Sequence, residues 1–251
     1  MRTDRDWTGR LRRRTGLGLA LALLALVATP AVQAQTPSAA ALAGFNAQGH
    51  GDRAGAQAAA EQGLAEYVKR KQQHGGEAAS AFDLARPQDL GRTRIAGGFE
   101  VHTIAPQDVI AGRSELRQLV QPSGLWRFFV KVGGKPVGLV TVQRMDGQWR
   151  AVSFGGAGLA QELSDLMAEH AGVGADHMRF IRMHQAQADL LEVVSPSDLQ
   201  ARYALLTSAR DALEPEIRAT TAEKAAPRLR ESHELLEPLR NAVRRNLNAQ
   251  P

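Results

Sequence analysis

Residues 128–156 read FFVKVGGKPVGLVTVQRMDGQWRAVSFGG, three short apolar runs separated by two glycine turns. Gly133-Gly134 and Asp146-Gly147 are two-residue hairpin signals, because a tight primed turn needs positive φ at both central positions. Counting outward from the turns sets a pairing register. Val130 faces Val137, Phe128 faces Leu139 and Trp126 faces Thr141. Across the second turn, Leu139 faces Phe154, Thr141 faces Val152 and Gln143 faces Arg150.

Side chains alternate between the faces of a sheet. The register therefore predicts a core face made of Trp126, Phe128, Val130, Val137, Leu139, Val152 and Phe154. The opposite face carries Arg127, Phe129, Lys131, Val140, Val142, Arg144, Trp149, Ala151 and Ser153, with Arg144 across from Trp149 as a cation–π pair. Half apolar and half cationic, this second face is the candidate binding surface, through Arg127, Phe129, Lys131, Val140, Val142, Arg144 and Trp149. The competing expectation is that another segment of the chain covers it.

Working outward, FEVHTI (99–104) alternates as a strand does, and residues 105–120 read as one or two short helical turns with Pro106 near a first position and Ser114 as a cap. After the strip, Leu159, Leu163, Leu166, Met167 and His170 share one stripe of an amphipathic helix. Residues 178–184 and 190–194 read as a further hairpin, and 199–206 as a strand, although SPSD before it also reads as the cap of a helix. On the N-terminal side, residues 54–73 form a helix with Leu64, Tyr67 and Val68 on its apolar side and Gly63 as a weak point. From Ala209 onward the chain is charged and helical in character, with Pro227 opening a second helix and Leu229, Leu236, Val243 and Leu247 as its stripe.

The expected fold is α+β: an antiparallel β-meander packed on amphipathic helices, with a helical C-terminal tail. Its expected parts are a leader over 35–53, a helix and linker over 54–97, the sheet domain over 98–208 and the charged helical region over 209–251.

The first 34 residues look like a secretory signal. Arg10 to Arg14 are basic, LGLALALLALVA is apolar, and VQA supplies small residues before a cut expected after Ala34. The apolar core is too short for a membrane-spanning helix. Residues 1–34 hold six arginines and two aspartates, so their removal takes the formal charge from +5 to +1. The basic balance thus belongs to the leader, and nucleic-acid binding loses its support. The chain has no cysteine, which excludes a lipoprotein anchor, disulfides, thiolate metal sites and a cysteine nucleophile. The expected location is periplasmic or secreted.

Catalytic signatures are missing: there is no GxSxG, SxxK, HExxH or GxxxxGK[ST]. GGAGLAQ leads glycines into a helix but lacks the third glycine and the lysine of a phosphate loop. Seven histidines are scattered without ligand spacing, so neither metal nor cofactor is expected.

A helix followed by the meander LWRFFVKVGGKPVGLVTVQRMDGQWRAVSFGG and another helix resembles the cystatin-like and PepSY-like exported α+β modules, over residues 99–206. The resemblance implies an envelope binding protein or a protease propeptide, and it carries over no catalytic residue. The function expected from the sequence is an exported, non-enzymatic binding or interaction module with an envelope protein or peptide as partner. The alternatives are a protease-inhibitory or propeptide-like module and a hydrolase of unrecognised type.

Overall fold

The structure is a computed structural model that describes residues 39–73, 81–112, 115–220 and 229–249, with backbone alone for 39–51 and 218–220. The expected signal segment, Ser114 and Pro227 lie outside the described residues. All described residues fall within one compact unit, Ala39–Pro251.

A long helix, α1 (Ala39–Gln73), leads through a 3₁₀ turn at Pro87–Arg92 into β1 (Arg94–Ile104). Short helices α2 (Pro106–Ile110) and α3 (Leu116–Leu119) follow, then β2 (Val120–Val132), β3 (Lys135–Met145) and β4 (Gln148–Gly155). Helix α4 (Ala157–Glu169) crosses to β5 (Met178–Met183), β6 (Ala188–Val194) and β7 (Ala201–Leu205), and α5 (Thr207–Thr220) and α6 (Ser232–Asn248) close the chain. The seven strands form one sheet in the order β4-β3-β2-β1-β5-β6-β7. Two antiparallel meanders, β1–β4 and β5–β7, join where β1 and β5 run parallel, with Val101 beside Phe180 and His102 beside Ile181. The expected α+β class is the observed one.

Both glycine turns form as expected. Gly133 and Gly134 have φ of 56° and 84°, and Asp146 and Gly147 have 50° and 78°. The register departs from the simple count at two bulges. Lys131 pairs with Pro136 and Val130 with Gly138, so Val137 is an extra residue and β2 and β3 pair one position further along. On β4, Ala151 pairs with Val142 and Ser153 with Thr141, so Val152 is extra and stays exposed. A one-residue slip moves a strand's side chains to the other face. Leu139 therefore leaves the expected core face, while Val140 and Val142 join Trp126 and Phe128. The two bulges cancel beyond Val152, so Phe154 remains where the count put it. Proline cannot donate to a ladder, and glycine within a strand marks a bulge or a close approach. Pro136-Val137-Gly138 contains both, and a Cβ on Gly138 would lie 2.5 Å from the Phe82 ring.

Helix α1 packs on the face of Trp126, Phe128, Val140 and Val142. Ala56, Ala60, Leu64 and Tyr67 recur at helical spacing and are buried there. The Tyr67 ring stacks on Phe154 at 4.7 Å, and its hydroxyl accepts the Ala81 N–H at 3.1 Å. Gly63 is a point of close approach to β4 rather than a weakness. The helix extends upstream to Ala39, through residues the sequence reading assigned to a leader.

The opposite face of the sheet carries α4. Its Ala160 and Leu163 bury against Phe129, Leu139 and Phe180, with Leu159, Leu166 and Met167 alongside. Full burial of a leucine such as Leu163 contributes about 1.5–3 kcal/mol.

Helices α5 and α6 dock on the second meander. Leu213, Ile217, Leu235, Leu239 and Val243 join Ile181, Leu190 and Leu205 in one core. The buried stripe of α6 thus runs through Leu235, Leu239, Ala242 and Val243, whereas Leu247 of the expected stripe is exposed. A capping box between Glu231 and Glu234 starts this helix. The β7 edge is closed by a two-way backbone pair between Tyr203 and Arg230, both bonds 2.8 Å.

Candidate functional site

The seven candidate residues divide between the two faces. Val140 and Val142 are fully buried beneath α1. Trp149 is half-buried on the same side, and Arg144 lies 6.0 Å over its ring, as the sequence predicts. Arg144 also donates to the Gly147 carbonyl at 3.2 Å and pairs with Asp52 of α1 at 3.6 Å. This half is an interface between the helix and the sheet.

Arg127, Phe129 and Lys131 alternate along β2 and share the α4 face. The β1/β5 pairing brings Phe99, Phe180 and Arg182 beside them. The rings form a chain, Phe129 to Phe99 at 5.5 Å and Phe99 to Phe180 at 5.3 Å. Cations lie along it: Lys131 is 5.8 Å from the Phe129 ring, Arg127 5.8 Å from the Phe180 ring, and Arg182 5.7 Å from that same ring. Phe129 is buried, while Arg127, Lys131, Phe99 and Arg182 are half-buried. This strip is the candidate site.

Its electrostatics are unbalanced. Arg182 grips Asp189 with two parallel hydrogen bonds of 2.7 and 2.6 Å, the strong fork geometry of an arginine–carboxylate pair. That pairing holds Arg182 above its usual pKa. Asp189 is buried, and its backbone N–H bonds the Ser208 hydroxyl at 3.0 Å. Among the described residues Arg127 has no such partner: its buried Nε–H reaches no hydrogen-bond acceptor there. Burial first, then the charge of Arg182, lower the Arg127 pKa to about 10, and Asp189 opposes the shift only in part. Two guanidinium groups thus share one carboxylate at the edge of an aromatic cluster.

Sequence reasoning missed Phe180, Arg182 and Asp189, which reach the strip only through the parallel pairing of β1 and β5. A local signal was nonetheless present. In the hairpin of β5 and β6, Arg179 sits opposite Glu192 and Arg182 opposite Asp189, an opposite-charge pattern that marks cross-strand pairs.

Arg179 and Glu192 face the other way, towards the core under α6. Glu192 is completely buried, is ion-paired to Arg179, and accepts the Tyr203 hydroxyl at 3.2 Å. Burial and the Glu192 charge raise the Tyr203 pKa. His102 is buried nearby, with Nδ1 3.3 Å from the Glu100 carbonyl, and burial and Arg179 push its pKa down to about 4. His177 ends a 3₁₀ turn and His184 is exposed after β5. Among the described residues no three His, Asp or Glu gather as a metal site, and no helix is long and apolar enough to cross a membrane.

Comparison with protein-family models, curated proteins and solved structures returns no match.

Proposed function

We propose that the protein is an exported binding module, periplasmic or secreted, that engages an envelope protein or peptide without catalysing a reaction. The observation that carries this reading is the strip on the α4 face. It combines half-buried cations, Arg127, Lys131 and Arg182, with linked aromatic rings, and only Arg182 among the three is ion-paired to a described carboxylate. Arginine and aromatic side chains are the types enriched where partners dock.

Crosslinking mass spectrometry on intact cell envelope tests the reading. A reproducible partner joined at Lys131 is the expected result, and crosslinks confined to the α1 side would count against it.

The packing of α1 across β2, β3 and β4 favours the alternative, a protease-inhibitory or propeptide-like module. Inhibition of envelope proteases by the purified protein tests that alternative.

A further inference from the structure

We infer that Arg127 and Arg182, beside the Phe180 ring, form an oxyanion site that takes the carboxylate or phosphate of a ligand whose adjoining part is apolar. The inference rests on the binding reading of this face and names the chemistry it recognises.

Charge is the first argument. Arg127 and Arg182 lie 5.8 and 5.7 Å from one ring, and the carboxylate beside them, Asp189, is already gripped bidentately by Arg182. One carboxylate between two guanidiniums leaves a surplus charge of +1. The surplus sits where water is partly excluded, so it is costly without a counter-ion. An anion would offset that cost.

The second argument is geometric. Arg182 spends its Nε and one terminal nitrogen on Asp189, which leaves its other terminal nitrogen for a further acceptor. Arg127 is held over the ring, and no acceptor among the described residues meets its Nε. Guanidinium groups bind carboxylate and phosphate through planar, paired donors, which is why they select an oxyanion over a halide. Phe99, half-buried and 5.3 Å from Phe180, supplies an apolar flank for the rest of the ligand.

The test uses the purified protein at low ionic strength, with inorganic phosphate, benzoate or chloride added at matched ionic strength. Phosphate or benzoate at about tenfold excess over its dissociation constant raises the thermal midpoint by about 3 °C beyond chloride. Arg144→Met, on the other face, retains the shift, and Arg127→Met loses it. A response to phosphate alone assigns a phosphorylated ligand, and one to benzoate alone a carboxylate. A midpoint no higher than in chloride, or a full shift in Arg127→Met, would overturn the inference.

The Arg127 Nε–Hε resonance of the unaltered protein gives a readout that needs no variant. Saturable movement with phosphate or benzoate supports the site, and a static resonance refutes it. A Lys131 crosslink without an anion response removes this inference and leaves the binding face. An anion response without a crosslinked protein partner does the reverse.

Discussion

Gly63 of α1 rests against Ala151 of β4 so closely that a Cβ on Gly63 would stand 2.3 Å from the Ala151 Cβ. The contact sets how near the helix comes to the edge strand, and two effects compete there. Alanine favours a helix by about 1 kcal/mol over glycine, and overpacking costs about 1–3 kcal/mol. The clash should win, because both atoms belong to short, stiff residues. Gly63→Ala is expected to destabilise by up to about 2 kcal/mol net of helix propensity. Gly158 of α4 has open space around it, and Gly158→Ala is expected to stabilise by about 0.5–1 kcal/mol. Urea midpoints of the two variants check this, and a stabilised Gly63→Ala would contradict the packing.

Stability is expected to fall with acid through His102. Its folded pKa, about 4, lies below the ordinary 6.5. Below pH 6.5 the unfolded chain takes up a proton that the folded state refuses until about pH 4. The contribution is complete above 6.5 and is lost progressively between 6.5 and 4, to about 3 kcal/mol at most. Urea unfolding across this range should show a shallower pH dependence in His102→Asn than in the unaltered protein. Identical slopes would contradict the assignment.

Glu192, completely buried, is held by Arg179 and Tyr203. Glu192→Leu leaves the Arg179 charge poorly compensated in the interior and is expected to cost about 3 kcal/mol. Replacing both, Arg179→Met with Glu192→Leu, removes the charges together and should recover part of that loss. The double-mutant cycle by denaturant unfolding measures it. A double variant as unstable as the sum of the single ones would contradict a coupled pair.

Much of this architecture was legible in the sequence, and the failures share a physical cause. Gly133-Gly134 and Asp146-Gly147 marked both turns, because positive φ is a local demand that glycine answers. The Arg144–Trp149 pair followed, since it lies before either bulge in the count from its turn. Beyond Pro136 the count failed. The extra residue at Val137 sits where Phe82, from a distant segment, packs on Gly138. The slip divided the candidate surface, placing Val140, Val142, Arg144 and Trp149 with α1 and leaving Arg127, Phe129 and Lys131 with α4. Phe180, Arg182 and Asp189 were missed for a related reason: the β1/β5 pairing spans nearly eighty residues and has no local signature.

Arg127 and Arg144 therefore sit on opposite faces, and comparing them gives the most direct test of the central claim that the α4 face binds. The measurement is the yield of the partner crosslinked in intact envelope, compared between Arg127→Met and Arg144→Met at equal protein level. The expected result is a yield reduced about tenfold or more in Arg127→Met, the loss of a contact near the hot-spot scale, with Arg144→Met unchanged. A yield preserved in Arg127→Met and lost in Arg144→Met would place the binding surface on the α1 side and contradict the account.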